Sequence, residues 1–170
     1  MIGEDASSTA AITEAVRVRT GLPVMVKLSP QVADICSVAH AAEAAGADAI
    51  SMINTYVGMK IDTRTARPVL SNVTGGLSGP AIRPMAVWLV YLVSQAVEVP
   101  VVGLGGIASV EDAVEFILAG AHGIQVGTST FVEPETAIRI VDELQDAIAS
   151  RGYRRLADMV GCAHPPAVRS

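Results

Sequence analysis

Short runs of β-branched and aliphatic residues alternate with longer helical patterns along the chain from residue 23 onward. This alternation is typical of parallel strands that are joined by crossover helices. Each run is too apolar to belong to a sheet with one face in water, so we expect each strand to be buried on both faces. The predicted strands are Pro23–Leu28, Asp48–Ile53, Val99–Leu104 and Gly123–Gly127.

Capping residues and glycines mark the ends of the crossover helices. The hydroxyl of Ser29 and the following proline predict the start of the first helix, and Gly46 predicts its end. A second helix is predicted to begin at Ser109, which has the spacing of a capping box with Asp112, and to end before Gly120. The last long helix is predicted over residues 134–150.

One further helix is predicted over residues 81–97, between the second and third strands. It carries Trp88 and Tyr91 among aliphatic side chains. We therefore expect it to be the most buried helix of the set.

The connection after the second strand is about thirty residues long, where this type of fold usually needs about two to six. Alternating apolar residues in Val57–Ile61 and a strand-like run at Val69–Val73, with a polar turn between them, predict a β-hairpin. The glycine-rich segment Thr74–Pro80 follows and is expected to form a turn ahead of a helix. Residues 56–80 are thus predicted to be an insertion of a hairpin and a glycine-rich loop within a single domain, 1–170.

A partial internal repeat favours a barrel of repeated units. The string that begins at Gly46 is matched 74 positions later by the string that begins at Gly120, and Pro23 is matched by Pro100 at an offset of 77. Near-duplicate strand–helix blocks are more typical of an eightfold (β/α)8 TIM barrel than of a doubly wound sheet. A full barrel usually takes about 250 residues. The predicted class is therefore α/β, with four parallel strands forming a half-barrel.

Composition excludes several other classes of protein. The chain is 51% apolar, but its most apolar stretch, Ala86–Val110, is interrupted by Glu98, Pro100 and glycines, so no transmembrane helix is expected. A net charge of -5 without basic runs argues against nucleic acid as a partner. Without an export signal at its start, the chain is expected to be cytoplasmic, with Cys36 and Cys162 as reduced thiols.

The residues at the carboxyl ends of the strands are those that bind ligands in such folds. Two of these ends carry Gly105-Gly106 and Gly127-Thr128, and a helix begins at Ser109. Exposed backbone N–H groups and a helix N-terminus favour a phosphate group. The alternative is that these glycines only close tight turns.

The other two strand ends carry polar side chains. Lys27, one of only two lysines, follows a strongly apolar strand, where a ligand with negative charge or carbonyl oxygens would offset its desolvation. Alternatively its ammonium group extends into water. Asn54 and Thr55 offer an amide and a hydroxyl to a small polar substrate, or else cap their own turn. No metal-ligand spacing and no Ser-His-Asp arrangement is evident.

Five strings, in order and over nearly the whole chain, resemble dihydroorotate dehydrogenase. They are Val26-Lys27-Leu28-Ser29-Pro30, Ile53-Asn54-Thr55, the segment from Asn72 to Pro84, Gly103-Leu104-Gly105-Gly106-Ile107 and Gln125-Val126-Gly127-Thr128. The resemblance is to the class 1B, cytosolic, NAD-linked type. It implies a flavin mononucleotide (FMN) barrel that oxidises dihydroorotate to orotate in pyrimidine synthesis.

The resemblance also implies roles for individual residues. Lys27 would hydrogen-bond the pyrimidine end of the flavin and favour its anionic reduced form, and Ile53 would contact the flavin. Asn54 and Thr55 would bind the orotate ring. The FMN phosphate would be held by Gly79, Gly105, Gly106, Gly127 and Thr128. In this family the partner is an iron–sulfur subunit that carries FAD.

One family element is missing from the sequence. The family's general base is a cysteine in a Ser-Cys-Pro-Asn-like loop, which does not occur here, so no catalytic residue is assigned. Residues 6–19 resemble the helix after the family's fourth strand, which leads us to expect a C-terminal half-barrel that is inactive alone. The alternatives are a dihydropyrimidine dehydrogenase-like flavin barrel, or a non-catalytic half-barrel that binds FMN and self-associates into a homo-oligomer.

Overall fold

The computed structural model describes residues 4–166 and contains one parallel sheet flanked by helices. Its four strands all run in the same direction. In their order across the sheet they are β1 (Met25–Lys27), β2 (Ala49–Met52), β7 (Val101–Leu104) and β8 (Gly123–Gln125). The α/β class and the half-barrel arrangement of four parallel strands are confirmed.

Five α-helices accompany the strands in this part of the chain: α1 (Ala6–Arg17), α2 (Ile35–Ala44), α3 (Arg83–Val93), α4 (Val110–Leu118) and α5 (Thr136–Ser150). Single-turn 3-10 helices at Pro80–Ile82, Thr128–Phe131 and Leu156–Asp158 complete the helical elements. Across residues 4–166, every helix is too short or too polar to span a lipid bilayer.

The hydrophobic core fills the space between the sheet and its helices. Ile50 and Met52 of β2 are fully buried, as are Val90 of α3 and Phe116 of α4. Phe116 packs so closely on β7 that a methyl group added to Gly103 would lie 2.5 Å from the ring carbon Cδ1. This close packing holds α4, and therefore the loop ahead of it, against the end of β7.

The first crossover helix begins later than predicted. Asp34, rather than Ser29, is its N-cap, and the Asp34 carboxylate accepts hydrogen bonds from the backbone N–H groups of Cys36 and Ser37 at 3.0 and 3.2 Å. Ser29 is instead buried at the end of β1, where its hydroxyl accepts a hydrogen bond from Gln31 N–H. The prediction at Ser29 was wrong because both residues have capping side chains and only the packing of the strand end selects between them.

Trp88 is also placed differently from the prediction. The buried residues of α3 are Ala86, Leu89, Val90 and Val93, which form one face of the helix. Trp88 lies on the opposite face and is 59% exposed. The helix lies within its predicted range, but its tryptophan is not part of the core. The prediction that it is the most buried helix was wrong, because four of the 11 residues of α3 are buried, compared with six of the nine residues of α4.

The hairpin insertion is present, although its returning strand is displaced. Strand β3 (Tyr56–Met59) pairs antiparallel with β6 (Thr74–Leu77), and β4 (Ile61–Asp62) pairs with β5 (Arg67–Pro68) nearer the tip. Residues 70–73 form a turn, so the prediction of a strand at Val69–Val73 and of a turn at Thr74 was wrong. Gly76 is needed within β6 because an added methyl group would lie 2.5 Å from the Thr55 hydroxyl.

Candidate functional site

A cavity of about 280 Å³ lies beyond the carboxyl ends of the four parallel strands. All nine residues predicted from the sequence to bind flavin or substrate line it. They are Lys27, Ile53, Asn54, Thr55, Gly79, Gly105, Gly106, Gly127 and Thr128. The sheet thus brings together residues that are up to 101 positions apart in the sequence, from Lys27 to Thr128. Their roles in binding remain predictions.

Backbone hydrogen bonds join the ends of β1 and β2, where Lys27 and Asn54 lie. The N–H group of Leu28 donates to the Ser51 carbonyl at 2.9 Å, and that of Asn54 donates to the Leu28 carbonyl at 3.1 Å. These bonds fasten the ends of β1 and β2 to each other, so the side chains that follow each strand emerge at the same place. Lys27 and Asn54 are both exposed at the cavity.

Lys27 supplies positive charge to the cavity. Of the cavity-lining residues that the structure describes, it alone has a basic side chain. Within residues 4–166 its ammonium group has neither a hydrogen-bond acceptor nor an ion-pair partner. Such a group is available to an anionic or carbonyl-bearing ligand.

Two glycine-rich segments meet on one wall of the cavity. Gly79, Gly105 and Gly106 have φ angles of 86°, 134° and 78°, a region that residues with a side chain rarely adopt. A methyl group added to Gly106 would lie 2.6 Å from the Gly79 carbonyl oxygen, and one added to Gly105 would lie 2.7 Å from the Ala86 methyl. Both segments therefore depend on the absence of a side chain for their shape and for their close approach.

The third segment of this wall follows β8. The Thr128 hydroxyl donates to the Ser78 hydroxyl at 2.8 Å, and the Ser129 hydroxyl donates to the Ile107 carbonyl at 2.7 Å. These two bonds connect the loop after β8 with the loops that precede α3 and α4. Gly127, in contrast to Gly106, has nothing within 4 Å of the position of an added methyl group.

The wall offers hydrogen-bond donors from the backbone. Among the described residues, no protein acceptor pairs with the N–H groups of Gly79, Gly105, Gly106 or Gly127. The N-terminal end of α4 is capped by its own side chains, because Asp112 and Ser109 form a reciprocal capping box. The donors free for an anion are therefore chiefly those of the glycines, which is the arrangement of a backbone anion site.

The hairpin packs against one of the predicted substrate residues, Thr55. Thr55 is half-buried, and Gly76 of β6 lies against its side chain. Asn54 remains exposed at the cavity. The amide of Asn54 and the hydroxyl of Thr55 can accept and donate hydrogen bonds to a ring that carries both kinds of polar group.

Five further residues line the cavity that were not singled out from the sequence: Ser78, Ile82, Leu104, Gln125 and Phe131. Ser78, Leu104 and Gln125 each lie within two positions of a predicted residue. They would have been included if the two neighbours on each side of every predicted residue were counted as candidates. Phe131 is 91% exposed and is the last residue of the 3-10 turn that begins at Thr128, and no pattern in the sequence marks that turn.

The two cysteines lie away from the cavity. Cys36 is on the first turn of α2, where burial, followed by the charge of Asp34, raises the pKa of its thiol. Cys162 is exposed and donates its thiol hydrogen to the Asp158 carbonyl at 3.2 Å. Neither lines the cavity, and within residues 4–166 no group of three His, Cys, Asp or Glu side chains could hold a metal ion.

Comparison with known proteins gives consistent matches. Residues 1–148 match the family model described as dihydroorotate dehydrogenase. The relatives include catalytic subunits of "Dihydroorotate dehydrogenase B (NAD(+))" from Bacillus pumilus (strain SAFR-032), 49% identical over 159 residues, and from Trichlorobacter lovleyi (strain ATCC BAA-1151 / DSM 17278 / SZ), 50% identical over 161 residues. A third, from Solidesulfovibrio magneticus (strain ATCC 700980 / DSM 13731 / RS-1), is 51% identical over 160 residues.

These alignments cover 94–95% of this chain but 51–53% of each relative. The chain therefore spans about half the length of the curated relatives it matches. The family match extends over most of the chain and includes every strand of the parallel sheet. The chain belongs to the dihydroorotate dehydrogenase family.

Proposed function

We propose that this chain carries the FMN phosphate site and part of the substrate site of an enzyme that oxidises dihydroorotate to orotate in pyrimidine biosynthesis. The observation that carries the proposal is the convergence on one cavity of Lys27, the exposed amide of Asn54 and three loops of positive-φ or unobstructed glycine. Family membership supports the reaction class. The cavity supports the assignment of roles to particular residues.

The residues present fit FMN. Gly79, Gly105 and Gly106 form a cradle in which an added methyl group would collide with neighbouring protein atoms at two of the three positions. Their N–H groups have no protein acceptor among the described residues and are free to bind phosphate oxygens. Ile53 would contact the flavin, and Gly127 and Thr128 would complete the phosphate site. FMN, when bound, would supply the redox chemistry by accepting a hydride from the substrate.

Lys27 would orient the cofactor and stabilise negative charge. Its ammonium group lies at the cavity and has no protein partner among the described residues. A cation at this place stabilises negative charge that develops on a bound ligand. Lys27 is therefore proposed to donate to the pyrimidine end of the flavin.

Asn54 and Thr55 would hold the substrate ring, and the close approach of Gly76 would fix the position of the Thr55 side chain. Removal of a substrate proton needs a general base within hydrogen-bond reach. The 170 residues contain no Ser-Cys-Pro-Asn-like string, and Cys36 has a raised thiol pKa and lies outside the cavity. These residues are thus proposed to bind cofactor and substrate without removing the proton.

The partners are proposed from the relatives and from the sheet. The relatives are named catalytic subunits, which supports a partner subunit of the iron–sulfur, FAD-bearing kind. Among the described strands, β1 and β8 each pair on one side only. Such open edges favour pairing with another chain, so the 170-residue chain is proposed to form homo-oligomers. We also propose that it acts in the cytoplasm.

The proposal is tested by titrating FMN into the purified chain and following flavin fluorescence. Saturable binding is expected for the parent chain, with affinity reduced about tenfold or more by Lys27→Ala through the loss of a charged hydrogen bond. Lys60→Ala is the matched control, because Lys60 is exposed on the hairpin and does not line the cavity. Absence of binding at millimolar FMN, or equal losses in both variants, would contradict the proposal.

A further inference from the structure

Arg83 and Asp112 join the starts of two helices behind the glycine cradle. Arg83 is the first residue of α3, and its Nη1 lies 2.5 Å from Oδ1 of Asp112, in the first turn of α4. We propose that this ion pair is a positioning pair for the phosphate-binding loops. The inference rests on the proposed FMN site, and it assigns to that site two residues that do not line the cavity.

Both oxygens of the Asp112 carboxylate have partners in this arrangement. Its second oxygen, Oδ2, accepts hydrogen bonds from the N–H groups of Ala108 and Ser109 at 2.9 and 3.1 Å. The Asp112 side chain is only 11% exposed. One buried carboxylate therefore fixes both Arg83 and the segment that directly follows Gly105 and Gly106.

Arg83 reaches the same glycines from the other side. A methyl group added to Gly106 would lie 3.0 Å from Arg83 Cβ, so the base of the arginine packs directly behind the loop. Gly79, which contacts Gly106 through its carbonyl oxygen, begins the 3-10 turn that leads into Arg83. The ion pair thus closes a ring that runs from Gly79 through Arg83 and Asp112 back to Gly106.

The charge of Arg83 is directed away from the cavity. Its Nη1 binds Asp112, and its Nε lies 3.3 Å from Oε2 of Glu115, which is 51% exposed. A planar guanidinium can hold two carboxylates in a fixed geometry, which a lysine ammonium cannot do in the same way. Arg83 is therefore assigned to position the loops and not to bind the phosphate directly.

Removal of the ion pair between Arg83 and Asp112 should weaken the binding of the phosphate group in particular. If the pair sets the spacing of the two glycine loops, its removal displaces the N–H groups that would bind phosphate oxygens. Lys27, Asn54 and Ile53 lie on strand ends that the pair does not touch, so contacts with the isoalloxazine ring should persist. A loss confined to the phosphate distinguishes this role from general destabilisation.

The experiment compares FMN with riboflavin, which lacks the phosphate, by fluorescence titration of Arg83→Met, Asp112→Asn and the double variant. Each single variant is expected to weaken FMN binding about tenfold and riboflavin binding less than about twofold. The double variant should be no weaker than the poorer single variant, because both changes break the same contact. Glu115→Gln is the matched control and should stay within about twofold of the parent chain, since it alters only the exposed side of Arg83.

A second readout needs no ligand. In the free chain, the amide resonances of Gly79, Gly105 and Gly106 should shift in Arg83→Met and Asp112→Asn but not in Glu115→Gln. FMN binding within twofold of the parent, equal losses for FMN and riboflavin, or unchanged glycine amides would each overturn the inference. If the parent chain itself does not bind FMN, the proposed function fails as well, whereas a parent that binds and variants that do not discriminate refute the positioning role alone.

Discussion

The hydroxyl of Ser51 on β2 donates a hydrogen bond to the side-chain carbonyl oxygen of Gln125 on β8, at 3.1 Å. The two residues are 74 positions apart, which is the offset between the repeated strings that begin at Gly46 and Gly120. The Gln125 amide nitrogen also lies 3.9 Å from the Met25 sulfur on β1. In a flat sheet β1 and β8 would be about 14 Å apart, so these contacts show that the sheet curves as a barrel wall does.

Gly106 and Gly127 are predicted to respond differently to the same substitution. Gly106→Ala places a methyl group at a φ of 78° and 2.6 Å from a carbonyl oxygen, so we expect a loss of about 1–3 kcal/mol in unfolding free energy and a distorted cradle. Gly127→Ala meets nothing within 4 Å and should change stability by less than about 1 kcal/mol. Chemical denaturation of both variants measures the difference. Equal stabilities would show that the glycine loops do not have this conformation.

Phe116 and Trp88 test the placement of the core. Phe116 is fully buried against β7, so Phe116→Ala should lower the free energy of unfolding by about 3–5 kcal/mol. Trp88 is 59% exposed, and Trp88→Ala should cost about 1 kcal/mol or less. Urea unfolding followed by far-ultraviolet circular dichroism suits both variants. A larger effect from Trp88 would restore the expectation that the tryptophan lies in the core.

Much of the fold follows from the sequence, because the four strands and most helix ends are set by local patterns. All four strands of the parallel sheet lie within their predicted ranges, and the capping box at Ser109 and Asp112 is where its spacing predicts it. The start of α2 was not predictable because Ser29 and Asp34 are both capping residues, and only packing selects between them. The exposure of Trp88 was not predictable because aliphatic residues lie on both faces of α3, and only packing selects the buried face. The returning strand of the hairpin was missed because glycines usually disfavour strands, whereas here Gly76 is needed for the approach of Thr55.

The candidate site was predicted more fully than the hairpin. Strand ends converge at one edge of a parallel sheet, so residues at four ends were expected to meet, and they line one cavity. The ion pair of Arg83 with Asp112 could not be predicted from either residue alone, because it depends on how the starts of α3 and α4 pack together.

The carboxylate of Asp5 is predicted to titrate at low pH. Hydrogen bonds from Ser8, and then from Ser7, lower its pKa from 3.8 to about 2. A carboxylate with a depressed pKa stabilises the folded state above its unfolded pKa, and this contribution is lost as the pH falls from about 4 through about 2. A carboxyl carbon NMR titration should give the low value. Asp5 is the N-cap of α1, and a rise of its pKa toward 3.8 in Ser8→Pro, with the rest of the chain folded, would support this capping contact. A normal pKa in the parent chain would exclude it.

Dihydroorotate is predicted not to reduce FMN bound to this chain. The residues that would hold cofactor and substrate are present, but no cysteine lies at the cavity to remove the proton. Anaerobic addition of dihydroorotate should leave the visible flavin absorption unchanged, in the parent chain and in Cys36→Ser alike. Bleaching of the flavin would show that another residue serves as the base.

The location of the flavin site is tested most directly by following the backbone amide resonances of the labelled chain as FMN is added. The largest shifts are predicted at the residues that line the phosphate side of the cavity, Gly79, Gly105, Gly106, Gly127 and Thr128, and they should be absent in Gly106→Asp. Amides on the outer face of α5 should remain unchanged. Saturating FMN that moves no glycine amide of this set, or that moves only residues outside the cavity, would contradict the proposed site.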